Sequence, residues 1–309
     1  MDTSPHKSSL ANVNGIHLHY LDWGGNGSAL LFLAGLNTNA HIFDRIAPRF
    51  TDKFHTLALT RRGDGESEIP ETGYDLETLT DDIRLFLDYL QIDRAILVQH
   101  TNEGIELPRF AARFPERVLK LVFLEPPYDR NAPGFKDMIA KWPKISYPED
   151  NGVFDTIADF LENQRKTVGP YATSWCEVRD EELSHQLTIN PQGKVVYKGT
   201  EGIWKAIREM RDSYTPDFDF AKISAPTLSI FPIRDNTYYI FPFMDQSERA
   251  QMVEFYDSVQ LPWYRQCIEN FRRDVPHAKI VELQHSHTYF IITQEELVFN
   301  EMRMFLQDC

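Results

Sequence analysis

The first 130 residues alternate short apolar runs with segments of helical spacing, and this rhythm restricts the fold more than any other feature. Apolar runs over residues 29–33, 95–98 and 118–124 are typical of buried strands. Residues 75–90 carry apolar side chains every three or four positions, which predicts an amphipathic helix. Strands separated by helices join into parallel sheets through right-handed crossovers. The sequence therefore predicts an α/β fold with a mostly parallel central sheet and helices on both faces.

The middle of the chain, residues 126–220, breaks this rhythm. It is rich in aromatic residues, proline and charge, with helical spacing but no strand alternation. We interpret it as an inserted helical cap, which leaves residues 1–125 and 221–309 as the core. The strand pattern returns at 227–231 and 279–283.

Two more helical segments are expected in the second half of the core. The connection over residues 238–274 is unusually long, and its apolar spacing predicts that it contains helix. Residues 294–306 have the spacing of a closing amphipathic helix.

Charge and composition narrow the class of partner. The net charge of −14 disfavours nucleic acids and anionic membranes, which bind basic surfaces. With 42% hydrophobic and 25% charged residues, the chain can bury a sizeable core. These features favour a small neutral or apolar molecule as the partner, and they leave a homodimer open.

The termini and cysteines suggest where the protein resides. The first fifteen residues are polar and lack the apolar run of a signal peptide. No apolar stretch in the sequence is long enough for a spanning helix. Cys176, Cys267 and Cys309 are far apart and odd in number, unlike a disulfide framework or a metal site. We therefore expect a cytoplasmic protein.

Three polar residues carry the chemistry that we predict. Thr101, Asp235 and His287 each follow a predicted strand closely, where ligands bind in parallel α/β sheets. Taken singly, Thr101 reads as a helix N-cap, and a lone Asp or His reads as loop chemistry. Together they give a hydroxyl, a carboxylate and an imidazole in chain order. In such a set the imidazole takes the hydroxyl proton and the carboxylate orients the imidazole.

Several stretches then resemble segments of the α/β-hydrolase superfamily, over nearly the whole chain. LLFLAGLNTNAHIFDRIAPRF is similar to its oxyanion-loop segment, with Ala34-Gly35 where His-Gly is usual, and TRRGDGES resembles its Asp-x-Arg-Gly-x-Gly-x-Ser segment. ILVQHTNEGIELPRF resembles the strand and helix around the nucleophile. APTLSIFPIRD resembles the strand that bears the acid, here Asp235, and VPHAKIVELQHSHTYF the one that bears the base, here His287.

This resemblance implies a hydrolase whose oxyanion hole uses the backbone N–H groups of Leu36 and Asn102. The family's Gly-x-Ser-x-Gly turn here reads Gln99-His100-Thr101-Asn102-Glu103, so all three signature positions differ. A β-branched residue at the positive φ that this turn requires costs on the order of 1–3 kcal/mol. We therefore expect either a relaxed turn or one held by its surroundings.

Other residues are weaker candidates. Glu103 fits the first turn of a helix or the pocket equally well, because an acid there complements the helix dipole. His100 is expected to be structural, and His285 is an alternative to His287. Glu125 is an alternative acid or a support for the site. Further pocket candidates are Gly35, His41, Asp44, Tyr238, Tyr239, Phe241 and Phe243.

Three functions remain open at this stage. The first, slightly favoured, is ester or acyl hydrolysis with Thr101 as nucleophile, His287 as base and Asp235 orienting it. The second is a lyase, isomerase or cyclase in which His287 and Asp235 move protons and Thr101 binds the substrate. The third is an inactive small-molecule binder. No metal motif and no phosphate-binding glycine loop occurs in the sequence, so we expect neither a metal nor a cofactor.

Overall fold

The computed structural model describes residues 5–148, 152–167, 177–199, 201–213 and 217–307. The predictions that involve residues 1–4, Cys176 and Cys309 lie outside these ranges. Within them, every helix is too short or too polar to cross a bilayer.

The predicted α/β fold with a mostly parallel sheet is confirmed. Eight strands of the described chain form one sheet in the order β1-β2-β4-β3-β5-β6-β9-β10. In this order, the six strands from β4 to β10 are parallel to one another. The pairings of β1 with β2 and of β2 with β4 are antiparallel. The strands are β1 Lys7–Val13, β2 Ile16–Gly24, β3 Ala29–Leu33, β4 His55–Leu59, β5 Ala95–His100, β6 Val118–Leu124, β9 Thr227–Arg234 and β10 Lys279–Ser286.

The first strand was not expected from the polar N-terminal sequence. β1 pairs with β2 along its whole length, from Lys7 opposite Asp22 to Val13 opposite Ile16. It is an edge strand, and only the side chains near its end, such as Ala11 and Val13, are buried. An edge strand with one solvated face lacks the continuous apolar run that marks a buried strand.

Helices cover both faces of the sheet. Successive side chains of a strand point to opposite faces, and accordingly Leu31 and Leu97 lie in one apolar cluster while Phe32 and Val98 lie in another. The described helices are α1 Leu76–Tyr89, α2 Glu106–Arg113, α3 Pro133–Ala140, α4 Ile157–Thr167, α5 Glu177–Ser184, α6 Glu201–Ser213, α7 Asp217–Phe220, α8 Gln246–Phe255, α9 Leu261–Asp274, α10 Phe290–Thr293 and α11 Glu295–Phe305.

The segment 126–220 is helical but also contains a small hairpin that we did not expect. Strands β7 (Leu187–Ile189) and β8 (Val195–Tyr197) pair antiparallel. The turn between them is held by Asn190, whose Oδ1 accepts from the N–H groups of Gln192 and Lys194. Strands of three residues are too short to give a periodic signal. The cap boundaries at 126 and 220 stay a prediction.

The helical content of residues 238–274 is confirmed. This connection folds into α8, a π-helical turn over Tyr256–Gln260, and α9. Asp245 caps α8 and forms a reciprocal capping box with Glu248. The connection lies between β9 and β10, so it reaches the edge of the sheet where the candidate site lies.

Candidate active site

Thr101 lies at the end of β5 in a left-handed conformation, with φ of 67°. The sheet holds this strained residue from both sides. Its N–H donates to the carbonyl of Leu124 at 2.8 Å, and its own carbonyl accepts from Nε2 of Gln99 at 2.8 Å. A β-branched residue stays at positive φ only where such contacts determine it. The turn is therefore held rather than relaxed.

Two glycines make room for this turn. A Cβ on Gly35 would lie 2.4 Å from the Thr101 hydroxyl, so the oxyanion loop can pass the turn only with glycine there. A Cβ on Gly104 would lie 2.4 Å from Cγ of Gln99. The bulk of Gln99, where the superfamily has glycine, is thus accommodated by a glycine one position beyond Glu103.

The helix after the turn begins later than we expected. Thr101 as N-cap would start the helix at Asn102, but α2 begins at Glu106 and its N-cap is Ile105. Pro108 explains the delay, because proline has no N–H and is tolerated only in the first turn of a helix. Thr101 is therefore not a helix N-cap, and Glu103 does not lie in the first turn of α2.

A cavity of about 310 Å³ lies beside Thr101, a volume typical of a small-molecule site. Its walls come from the oxyanion loop, the β5 turn, the end of β9 and the connection between β9 and β10. The described residues that line it are Leu36, Asn37, Thr38, Thr101, Asn102, Glu103, Tyr128, Arg234, Tyr238, Tyr239, Tyr256, Gln260, Trp263, Tyr264, Thr288 and Tyr289.

Leu36 and Asn102, predicted to form the oxyanion hole, both line this cavity. Among the described residues, no acceptor is hydrogen-bonded to the backbone N–H of either. Two such donors beside a hydroxyl can stabilise the negative charge that develops on an attacked carbonyl oxygen.

Glu103 lies in the cavity wall, paired with a cation. Its carboxylate is 2.6 Å from Nη2 of Arg130, and the same nitrogen lies 3.5 Å from Oδ1 of Asn102. The guanidinium balances a charge that would otherwise oppose an oxyanion.

The sequence predicted that Asp235 orients His287, but the two side chains are not hydrogen-bonded to each other. The carboxylate of Asp235 accepts from Nδ1 of His285 at 2.8 Å, and these two side chains are 53% and 82% exposed. His285 itself has a positive φ of 52°. The strand β10 is irregular between Leu283 and Ser286, and this irregularity turns His285 outward. The sequence cannot reveal such a local break in register.

His287 is buried, with its ring against Tyr238 and Tyr289 at centroid distances of 4.9 and 5.9 Å. Its Nδ1 accepts from the backbone N–H of Tyr289 at 3.1 Å. A neutral imidazole has one donor and one acceptor nitrogen, so the ring proton lies on Nε2. This orientation is opposite to that of a base whose Nδ1–H is held by a carboxylate. Neither His287 nor Asp235 is among the described residues that line the cavity.

A buried ion pair that the sequence did not reveal lies at the back of the cavity. Nη2 of Arg234 donates to both carboxylate oxygens of Glu125, at 2.9 and 2.7 Å, and Tyr264 adds a hydrogen bond to Glu125 at 3.2 Å. Glu125 is fully buried and, like Thr101, has a positive φ, 69°. Nε of Arg234 is buried and donates to no described residue. The sequence signal for this pair was a single charged residue, Glu125, directly after the apolar strand β6.

Phenols surround this guanidinium. Burial raises the pKa of Tyr256 to about 12 and that of Tyr289 also to about 12. It likewise raises the pKa values of Tyr128, Tyr239 and Tyr264. At neutral pH all five are uncharged, so the described lining presents phenol hydroxyls, the cation of Arg234 and the carboxylate of Glu103, which is paired with Arg130. The cavity is more polar than we expected.

The other candidates take different places. Tyr238 and Tyr239 line the cavity, whereas Phe241 and Phe243 pack in a separate apolar cluster. His100 is fully buried, and burial lowers its pKa to about 3, as expected of a structural residue.

His41 and Asp44 bond to each other away from the cavity. Among the described residues, the His and carboxylate groups close enough to hold a metal also lie outside the cavity lining.

Known proteins with similar sequences place this chain among α/β hydrolases in part of its length. Residues 28–169 match the family model described as alpha/beta hydrolase fold. The chain is 35% identical over 101 residues to 2-(acetamidomethylene)succinate hydrolase of Mesorhizobium japonicum, covering 33% of this chain and 36% of that protein. It is 32% identical over 133 residues to N-formylmaleamate deformylase of Pseudomonas putida, covering 43% of this chain and 49% of that protein. The chain thus spans about a third to a half of the length of these relatives.

The structural likeness extends further along the chain. The crystal structure of E-2-(acetamidomethylene)succinate hydrolase superposes with a TM-score of 0.71 at 17% identity, over 98% of this chain and 99% of that one. An identity this low concerns the fold alone. The sheet order and the superposition over nearly the whole chain show that the chain has the α/β-hydrolase fold.

Proposed function

We propose that this protein hydrolyses small acyl compounds that are rich in hydrogen-bond acceptors, with the Thr101 hydroxyl as the attacking group. The observation that carries the proposal is the left-handed Thr101, which exposes its hydroxyl to a cavity that also contains Leu36 and Asn102. The surrounding hydrogen bonds maintain an unfavourable backbone conformation there, and such strain is concentrated at functional sites.

In the proposed reaction, the Thr101 oxygen attacks the acyl carbon and its proton passes to His287. The N–H groups of Leu36 and Asn102 stabilise the oxyanion. Collapse of the tetrahedral intermediate expels the leaving group, which takes the proton from His287, and leaves a threonyl ester. Water then attacks this ester, again with His287 as base, and restores the free hydroxyl.

This reaction requires His287 to change orientation. At present its Nδ1 accepts from Tyr289, so Nε2 holds the proton. Catalytic hydrogen bonds are often absent without substrate and form only in the complex. We infer that substrate binding turns the ring so that an unprotonated nitrogen faces Thr101.

The lining of the cavity supports an acceptor-rich substrate. Buried Nε of Arg234 has no acceptor among the described residues, and neutral phenols surround it. A carboxylate or an amide carbonyl on the substrate would supply that acceptor. The names of the two curated relatives describe N-acyl derivatives of small carboxylic acids, which is the same kind of compound.

A second candidate is an enzyme that moves protons without a covalent intermediate. The orientation of His287 and the exposed Asp235–His285 pair favour it, because neither belongs to a formed triad. In that case Thr101 would only bind the substrate.

The two candidate functions are separated by the activity of Thr101 variants on short N-acyl and ester substrates, with and without a carboxylate. If Thr101 is the nucleophile, Thr101→Ala should lower kcat by at least about 10³-fold, and Thr101→Ser should keep or raise kcat. Thr188→Ala, which removes an exposed hydroxyl on β7, is the matched control. If Thr101→Ala keeps most of the activity while His287→Gln abolishes it, the covalent reaction is excluded.

A further inference from the structure

We propose that His19, His41 and Glu66, which lie outside the lining of the cavity, form a binding site for a divalent transition-metal ion such as zinc. Each offers one ligand atom, and these atoms all lie within 4.8 Å of one another. Two imidazoles and one carboxylate are a common zinc ligand set, with a water as the fourth ligand.

The three ligands come from separate parts of the core. His19 lies on β2, His41 in a short 3-10 helix, Ala40–Phe43, after the oxyanion loop, and Glu66 in the loop after β4. Both histidines are 2% exposed. Because neither imidazole can move far, the site is largely formed before an ion arrives.

Hydrogen bonds orient both rings as a metal site requires. Nδ1 of His41 is 3.0 Å from Oδ2 of Asp44, so in the proposed site Nε2 would be the nitrogen that binds the ion. Nε2 of His19 is 2.9 Å from the Ser8 hydroxyl, and its Nδ1 faces Glu66 at 3.7 Å. Metal-ligating histidines characteristically donate their other N–H to an oxygen in this way.

A bound ion would displace one hydrogen bond of His19. Its Nδ1 contacts the hydroxyl of Thr60 at 3.0 Å, and the ion would replace this one hydrogen bond. The Thr60 oxygen would continue to accept from the N–H of Ala40.

Glu66 is held in place by a third histidine, His185. Its Oε1 is hydrogen-bonded to Nδ1 of His185 on the segment after α5, so Oε2 is directed at His19. The His185 ring stacks on His41, with centroids 3.8 Å apart and planes 11° apart. Both nitrogens of His185 are bonded to carboxylates, Nδ1 to Glu66 and Nε2 to Glu181, so His185 positions Glu66 and does not bind the metal itself.

The ion has a route to this site. An open groove of about 660 Å³ is lined by His19 and Glu66 and provides space for a water ligand. Lys198 also lines it, but its ammonium donates to the carbonyls of Gly65 and His185. A bound ion would tie β2, the oxyanion segment and the loop after β4 together, so it should stabilise the fold.

Zinc binding to the EDTA-treated full chain tests the proposal, by calorimetry and by the shift in Tm. We expect micromolar or tighter affinity and a rise in Tm, and we expect Glu66→Gln to weaken zinc binding by at least about tenfold. Glu66→Gln keeps the shape of the side chain, so it should fold. Glu68→Gln is the matched control. Glu68 pairs with the exposed His17, which lies on β2 like His19, and has no second histidine beside it.

Three results would overturn the assignment. The first is no zinc binding to the unaltered chain at micromolar concentrations. The second is equal affinity in the Glu66→Gln and Glu68→Gln variants, which would indicate adventitious binding elsewhere. The third is loss of binding in His6→Gln but not in Glu66→Gln, which would place the ion in the neighbouring His6, His41 and Asp44 group.

Discussion

Glu125 and Asp235 end neighbouring parallel strands, β6 and β9, yet they have opposite surroundings. Glu125 is fully buried and its carboxylate is paired with Arg234, whereas the Asp235 side chain is 53% exposed and bonded to a histidine at the surface. The family resemblance places the catalytic acid at Asp235. The interior charge that faces the cavity is instead one residue earlier, on Arg234, and Glu125 holds it.

Two carboxylates at the ends of neighbouring strands can therefore have very different electrostatic effects, depending on how deeply each is buried. A charge pair in water contributes little, because solvent screens it. A buried pair is costly to break, because the remaining charge has no solvation. The two carboxylates should therefore differ most in stability, and then in their effects on the substrate.

The largest expected difference is in the free energy of unfolding. Glu125→Ala leaves the buried Arg234 without its partner and should destabilise the protein by about 3–5 kcal/mol. Asp235→Ala changes an exposed side chain and should stay within about 0.5 kcal/mol. Urea unfolding of the two variants measures both. Equal losses would show that burial does not distinguish the two positions.

The next effect concerns substrate binding by Arg234. Arg234→Lys keeps the charge but removes Nε and the planar fork of donors. We expect KM for a carboxylate-bearing substrate to rise about 10- to 100-fold, with a smaller change for an uncharged ester. Steady-state kinetics with the two substrates give the comparison. An equal rise in KM for both substrates would show that Arg234 does not bind the substrate carboxylate.

His100, at the end of β5, lies in the interior of the protein. The pKa of His100 is lowered by burial to about 3, so below pH 6.5 only the unfolded state takes up this proton. Stability should therefore fall as the pH drops from 6.5 towards 3. Between pH 7 and pH 5, His100→Asn should remove about 2 kcal/mol of that loss. Urea unfolding of both proteins at the two pH values checks this, and identical pH profiles for the variant and the unaltered protein would contradict it.

The smallest expected effect is that of Asp235 on catalysis. An acid that orients a catalytic imidazole is worth about 10⁴-fold in kcat. Because Asp235 bonds to His285, we expect Asp235→Asn to lower kcat/KM by less than about tenfold. A loss of several thousandfold would show that Asp235 moves to His287 during turnover.

The sequence predicted the parts of this molecule that depend on periodicity. The parallel strands of the sheet, the helices between them and the helical content between β9 and β10 follow from the spacing of apolar residues. For Thr101 after β5 the sequence left two outcomes open, a relaxed turn or one held by its surroundings, and the structure has the second.

The remainder depends on contacts between residues distant in the chain. The late start of α2 follows from Pro108, whose effect depends on where the turn before it ends. The outward His285 and the orientation of His287 follow from a break in register and one backbone hydrogen bond. The pairing of Glu125 with Arg234 joins residues more than one hundred positions apart, and no local pattern predicts it.

Trapping of the acyl-enzyme tests the nucleophilic role of Thr101 most directly. The protein is treated with a fluorophosphonate or a slowly hydrolysed ester, and intact-mass and peptide mass spectrometry locate the adduct. We predict one covalent adduct on Thr101, lost in Thr101→Ala and retained in Thr101→Ser. Turnover of the same ester without any adduct on Thr101, or with the adduct on another residue, would contradict it.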